Sequence, residues 1–328
     1  MPGFLAAHGS APRFRRGAGT VAFVAGVALG LTSCGSSGNT STAAVRISPS
    51  DAHASPSSAP VPKGAPQAIP DLGLTQGMVL PLEAYMETYP EQAAIMRAQV
   101  SLVSSCMAKF NFQYDPPVAD APLSNDDANM NRRYGISDPS EAAQYGYHLP
   151  NYTASQPQYQ VSATEQEILV GHLGTDFRPT PGPTTYNGVP IPHNGCIGSS
   201  TAKLGATLNT QLPDQLDSES LSISQSKPAV QTALHAWSAC MKSKGYRVDT
   251  PFNAAALAPS SDGPSPTSQE IQVAMADVGC KQQTGLIKIW FTAETAVQDQ
   301  QIDQNQLALT QLRRQIDAAV KASAAVTG

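Results

Sequence analysis

"SACMKSKGY", Ser238 to Tyr246, and "SCMAKFNF", Ser105 to Phe112, are two versions of one phrase: Cys-Met, three residues, a Gly or Asn, then an aromatic. Both read as the end of a helix. Gly245 and Asn111 fall where a terminating helix turns left-handed, a conformation that Gly tolerates best and Asn next. Tyr246 and Phe112 then lie one residue further on, opposite Met241 and Met107, the apolar contact that accompanies a Schellman stop. Lys242 and Lys109 sit in the last turn, where a cation complements the helix dipole. The phrase is therefore a helix terminator carrying a cysteine in its final turn.

Each copy is followed by a Gly-Cys, at Cys196 and at Cys280, 90 and 40 residues after its partner phrase. Four cysteines allow three pairings. Order and symmetry favour Cys106 with Cys196 and Cys240 with Cys280, giving two related halves at about 91–210 and 227–300. Loop closure assigns each bridge on the order of 4 kcal/mol.

Oxidised pairs need an exporting context, and the N-terminus supplies one. Arg13, Arg15 and Arg16 precede an apolar run from about Gly17 to Leu31, short and rich in Gly and Ala. Its length suits a signal-peptide core better than a membrane span. It ends in "LTSC", Leu31 to Cys34. This resembles the bacterial lipobox, in which the cysteine thiol is acylated and becomes the new N-terminus. Residues 1–33 are then a lipoprotein signal peptide and Cys34 the lipid-attachment site, which places the chain outside the cytoplasm on the outer face of the membrane. Residues 34–75 are dense in Ser, Ala, Pro and Gly and nearly devoid of large apolar residues, as expected of a flexible tether.

Of the 328 residues only 14% are charged, and Gly (25) and Pro (27) are plentiful. The formal charge is −5, and the three basic residues before Cys34 leave −8 on the remainder. An acidic chain is a poor partner for nucleic acid. Residues 76–328 read as one mainly α domain: disulfide-stapled helices, long irregular loops and a long C-terminal helix. "EQAAIMRAQVSLVSSCMAKF", Glu91 to Phe110, repeats Ile95, Met96, Val100, Val103 and Met107 at helical spacing. Helices are also expected near Thr164–His172, Cys196–Leu208 and Lys227–Lys244. Between Gln113 and Asn194 the chain reads as mostly irregular, with Asn187-Gly188 as a hairpin turn and Pro190 confining its second strand to an edge. Thr267 and Glu270 form a capping box, and no proline follows. One helix over 267–324 would be about 85 Å long. Its apolar stripe through Leu286, Trp290, Ala293 and Val297 continues the face of Cys280, then "QDQQ", Gln298–Gln301, interrupts it. A second stripe runs through Ile302, Leu309, Leu312, Ile316 and Ala319. The five-residue step from Val297 to Ile302 rotates the face by about 140°. The two halves must therefore meet different surfaces: the Lys227–Lys244 helix first, then the Glu91–Phe110 helix or another chain.

With "RRYGISDPSEAAQYGYHLP" (Arg132 to Pro150), "YNGVPIPHNGC" (Tyr186 to Cys196) and "ADVGCKQQTGLIKIWF" (Ala276 to Phe291), these motifs resemble a group of uncharacterised secreted actinobacterial lipoproteins. The resemblance runs from about Leu80 to the C-terminus and implies an envelope location with no established activity.

No nucleophile elbow, zinc-helix motif, P-loop or dinucleotide fingerprint occurs, so no cofactor or metal is expected. His193 lies three residues before Cys196, but a loop histidine beside a disulfide is the simpler reading. Asp126-Asp127 and the pair Glu165/Glu167 are carboxylates of the kind that serve glycoside hydrolysis when a cleft brings them together. Tyr134, Tyr145, Tyr147, Tyr152, Tyr159 and Tyr186 crowd one segment and form the candidate binding surface, since Tyr is enriched at interfaces. The expectation is a non-catalytic binding or accessory module of the envelope. Its partners are membrane lipid through acylated Cys34 and an envelope protein or cell-wall polymer. The alternative is a polymer-processing hydrolase using carboxylates of the Tyr-rich segment.

Overall fold

The computed structural model describes residues 72–116, 130–149, 159–171, 182–258 and 265–328. The chain divides into two units, Met1–Ala52 and His53–Gly328, and everything described below belongs to the second.

The described chain is mainly helical. Helix α1 (Tyr89–Met107) opens on a capping box: the Thr88 hydroxyl accepts the Glu91 N–H, and the Glu91 carboxylate accepts the Thr88 N–H at 2.9 Å. Two orphan donors of the first turn are thereby satisfied. Short α2 (Met130–Arg133) and α3 (Pro139–Tyr145) follow, then α4 (Ala163–Val170). A two-residue hairpin pairs β1 (Thr185–Tyr186) with β2 (Val189–Pro190), turning on Asn187 (φ 47°) and Gly188 (φ 77°) as the sequence requires. Then come α5 (Gly195–Leu204), α6 (Gln211–Gln225), α7 (Pro228–Ser243), α8 (Ser268–Thr284) and α9 (Leu286–Thr327).

The terminators form as read. Asn111 (φ 64°) and Gly245 (φ 92°) are left-handed. The Phe112 N–H reaches the Met107 carbonyl at 3.2 Å, and the Tyr246 N–H reaches Met241 at 3.0 Å. Both are the 6→1 bond of a Schellman stop. The disulfides are Cys106–Cys196 and Cys240–Cys280, each with Cα atoms 5.7 Å apart. The likeness of the two halves is confined to these stops. Cys196 is the second residue of α5, whereas Cys280 lies near the end of α8.

Four expectations need correction. The helix over 267–324 is two helices, because Gly285 is left-handed (φ 65°) and donates its N–H to the Gln282 carbonyl, closing α8 before α9 begins. The helix expected to reach Leu208 stops at Leu204 for the same reason, at Gly205. Helix α6 was not expected; Ser220 and Ser224 on its buried face return their hydroxyls to their own helix carbonyls, Asp217 and Leu221. The tether stops short of residue 75: Thr75 is wholly buried, and the Leu74 N–H donates to the Ser137 carbonyl.

Helix α9, 42 residues and about 63 Å long, organises the core. Its first turns set Leu286, Ile287 and Trp290 against Val230, Leu234, Trp237 and Met241 of α7. After the face rotates, Ile302 and Leu309 meet Leu82, Tyr85 and Leu216. Leu312, Ile316, Ala319 and Val320 then pack on Ile95 of α1. The second stripe therefore meets Leu82, Tyr85 and α6 before it reaches α1, all within the same chain. "QDQQ" is no solvated gap, because Gln298 is fully buried and accepts the Leu82 N–H. On α1, Met96 of the repeating apolar set turns outward and is 42% exposed. A second cluster gathers Val103, Met107 and Phe110 with Ile168, Leu169 and Cys196 around the first disulfide.

Candidate functional site

The helix ends stapled by Cys106–Cys196 shape a half-open groove of about 230 Å³, lined by Met96, Gln99, Val100, Val103, Tyr114, Pro116 and Ile197. Val103 forms a buried floor and Met96 an exposed rim. One wall is α1, where Gln99 Nε2 donates to Thr201 Oγ1 of α5 at 2.7 Å. The other is the extended chain after the α1 stop. There Ser104 Oγ donates to the Tyr114 carbonyl at 2.5 Å. The Asp115 N–H donates to the Tyr159 hydroxyl, and the rings of Tyr114 and Tyr159 meet edge to face at 5.4 Å. Burial pushes the Tyr114 phenol up from its ordinary pKa. No lining side chain carries a charge, and Met96 brings the adaptability of an unbranched thioether.

The ionisable groups lie elsewhere, inside the helical core. Glu294 of α9, fully buried, accepts from Arg133 Nε (3.1 Å), Tyr134 Oη (2.8 Å) and Ser220 Oγ (2.8 Å). Arg133 also donates to Asp217 at 2.9 Å. Burial draws the Arg133 pKa down, but the bonds to Glu294 and Asp217 outweigh it and hold the guanidinium above its ordinary value. Burial first, and then the Glu294 charge, drives the Tyr134 phenol far up. On α8, Asp277 accepts from Trp237 Nε1 (3.0 Å), Tyr147 Oη (3.2 Å) and Lys281 Nζ (3.2 Å). Lys281 also donates to the Ile136 carbonyl at 2.7 Å. Burial raises the Asp277 pKa and lowers that of Lys281, each opposed by the other's charge. One turn into α8, Glu270 accepts the Tyr147 N–H at 2.8 Å and faces His148 Nδ1 at 2.9 Å, so only half of the expected capping box forms: the Thr267 hydroxyl accepts the Glu270 N–H, and the Glu270 carboxylate is engaged elsewhere. A third buried pair, Arg313 with Glu91, ties the far end of α9 to the start of α1 at 2.7 Å. Each of these carboxylates meets several donors, the arrangement a low-dielectric interior demands.

Among the described residues, the tyrosines do not share one surface. Tyr134 is wholly buried against Trp290, ring centroids 5.2 Å apart, and Tyr147 reaches inward to Asp277. Tyr145 is half-buried at the end of α3, and Tyr186 packs on Phe110 and Phe112. Tyr159, 39% exposed, stands at the groove and braces its wall. Tyr152, the pair Asp126-Asp127 and Cys34 lie outside the described residues. Glu165 closes a capping box with Ser162, whose N–H holds the carboxyl below its ordinary pKa, and Glu167 is exposed on the same short helix. His193 is exposed and hydrogen-bonded to Asn194, while Cys196 is spent on its disulfide. Among the described residues, no group of three His, Cys, Asp or Glu converges for a metal, and no helix is long and apolar enough to cross a membrane.

Helical spacing places Met96 and Val100 on the α1 stripe but cannot say which flank of a stripe is covered. The signal for the groove lay in "NFQYDPP", whose aromatic and proline residues continue straight past the helix stop. No family model, curated protein or solved structure matches the chain.

Proposed function

We propose that the protein is an extracytoplasmic lipoprotein, held to the outer face of the membrane by acylated Cys34, that serves as a non-catalytic accessory module. The observation that carries this reading is where charge sits. The carboxylates of the core are bound up with arginine, lysine, tyrosine and tryptophan donors that hold helices together. The groove beside the first disulfide is built from uncharged side chains. Such a surface suits contact with an apolar side chain or chain segment of an envelope partner. Two disulfides agree with an oxidising compartment. The hydrolase alternative is less well supported, because Glu165 caps a helix.

Fractionation of cells tests the anchor. The parent chain should sediment with membranes, and Cys34→Ala should be released or left unprocessed; a processed Cys34→Ala chain still held by membranes would refute it. A photo-crosslinking residue at Gln99 tests the module. Its adduct should vanish when Met96→Asp charges the rim, and an adduct indifferent to that change would refute the groove.

A further inference from the structure

The basic side chains of this acidic chain are unevenly placed. Lys242 and Lys244 at the end of α7, Arg247 just beyond it and Lys288 in the first turn of α9 are all exposed. None of the four joins an ion pair among the described residues. Two matched contacts, Trp237 with Asp277 and Cys240 with Cys280, show that α7 and α8 run side by side in the same direction and finish together. Gly285 then starts α9 at that same end, so the four cations share one end of the bundle. Exposed Gln282 and Gln283 lie with them. Asp249 is the exposed acid beside them, and Asp277 is buried in its lysine pair. Half-buried Tyr246, between Lys244 and Arg247, gives the patch an aromatic edge.

The N-terminal segment joins the domain against the middle of α8. The Leu74 N–H bonds to the Ser137 carbonyl, and the neighbouring Ile136 carbonyl receives Lys281 Nζ, one residue from Cys280. Leu74 packs with Ala274 and Val278 of the same helix. We infer that the α7–α8 end of the bundle, with Lys242, Lys244, Arg247 and Lys288, docks on an anionic lipid surface. The inference rests on the proposed anchor for bringing the chain to a lipid surface, while its charge logic stands alone. Basic side chains are drawn to anionic headgroups, and aromatic rings settle at the interface.

The test uses the mature chain from residue 34 carrying Cys34→Ala, so that neither an acyl group nor the basic, apolar leader masks the effect, with and without Lys242→Glu, Lys244→Glu, Arg247→Glu and Lys288→Glu. Each basic residue near such a surface is worth roughly a fivefold gain in partition; four, less Asp249, give on the order of 100-fold. Partition onto phosphatidylglycerol vesicles over phosphatidylcholine vesicles should show that preference. It should be lost in the quadruple variant, and at about 1 M salt, where the Debye length is about 3 Å. A control with Lys203, Lys227, Arg314 and Lys321 changed to Glu should keep it. Equal partition onto both vesicle types, or equal loss in the control, overturns the inference, and an acidic protein as the true partner would give the first of these. Hydrogen exchange on the parent chain with phosphatidylglycerol vesicles should slow at 242–249 and 282–288. Failure of the anchor would show in cell fractionation while the vesicle preference remained.

Discussion

The Arg313–Glu91 pair offers the sharpest test of how the two ends of the fold are joined. Glu91 is fully buried and Arg313 is 1% exposed. Replacing Arg313 with Met leaves the carboxylate in the interior with one remaining donor, the Thr88 N–H, and strips the Met86 carbonyl of its partner. Breaking a buried pair in this way costs about 3–5 kcal/mol. That is a large part of the 5–15 kcal/mol typical of a folded domain. Glu91→Leu should cost less on the arginine side, because Arg313 keeps Met86 and Asp317 at 3.0 Å, but it also forfeits the capping box, about 1 kcal/mol. The double variant fills the space with apolar groups and leaves no orphan charge, so it should be more stable than the sum of the singles by about 2–3 kcal/mol. The assay is urea unfolding of all four proteins, with the slope of each transition checked for constancy. Single costs below about 1 kcal/mol, or strict additivity, would mean that the pair is solvated and that hydrophobic packing alone seats α9 on α1.

Three further outcomes are expected. Changing both cysteines of a pair to Ser should cost about 4.6 kcal/mol for Cys106–Cys196 and about 3.9 kcal/mol for Cys240–Cys280, from loops of 90 and 40 residues, read by thermal unfolding; losses in the reverse order would discredit the loop-closure account. Gly285→Ala should cost about 1–2 kcal/mol through its left-handed backbone alone, since nothing lies within 4 Å of the added carbon; a neutral result would mean that α8 runs on into α9. Asp277→Asn with Lys281→Met should help most near neutral pH. The Asp277 pKa is raised, so its stabilisation is complete below the unfolded value and fades as pH rises; that of Lys281 is lowered, so its stabilisation is complete above the unfolded value and fades as pH falls. The charged pair is thus costliest between the two, and a gain that grows toward pH 4 or pH 10 in urea titrations would contradict the reasoning.

What was legible follows from where the information sits. The Cys-Met terminators, the pairing of the bridges and the rotation of the α9 face are local patterns, and each survives in the fold. "QQTGL" carries the same stop signal as "KSKGY", but the apolar stripe through Leu286 and Trp290 continues across it and masks the break. Helix α6 hid behind Pro213 and a run of serines, because its buried face uses hydroxyls where apolar side chains are usual. The charged core was the least legible. Arg132 and Arg133 are neighbours of one type, yet one reaches Glu141 near the surface while the other enters the core to Glu294. Only the placement of Asp217 on α6 and Glu294 on α9 decides which. Tyr134 turns inward for the same reason, since it follows Arg133 to Glu294.

The two bridges also set how far the molecule can be drawn out under load. A pull between residue 72 and the C-terminus cannot lengthen the stretches closed by Cys106–Cys196 and Cys240–Cys280, which span 90 and 40 residues. About half of the folded chain's contour is thereby locked, roughly 450 Å at 3.3–3.6 Å per residue. Force arriving through Leu74 passes to Ser137, from Ile136 to Lys281 and then into the covalent tie at Cys280. The segment that bears tension first is therefore riveted to the helices behind it, and rupture has to begin in the hydrogen bonds before the rivet.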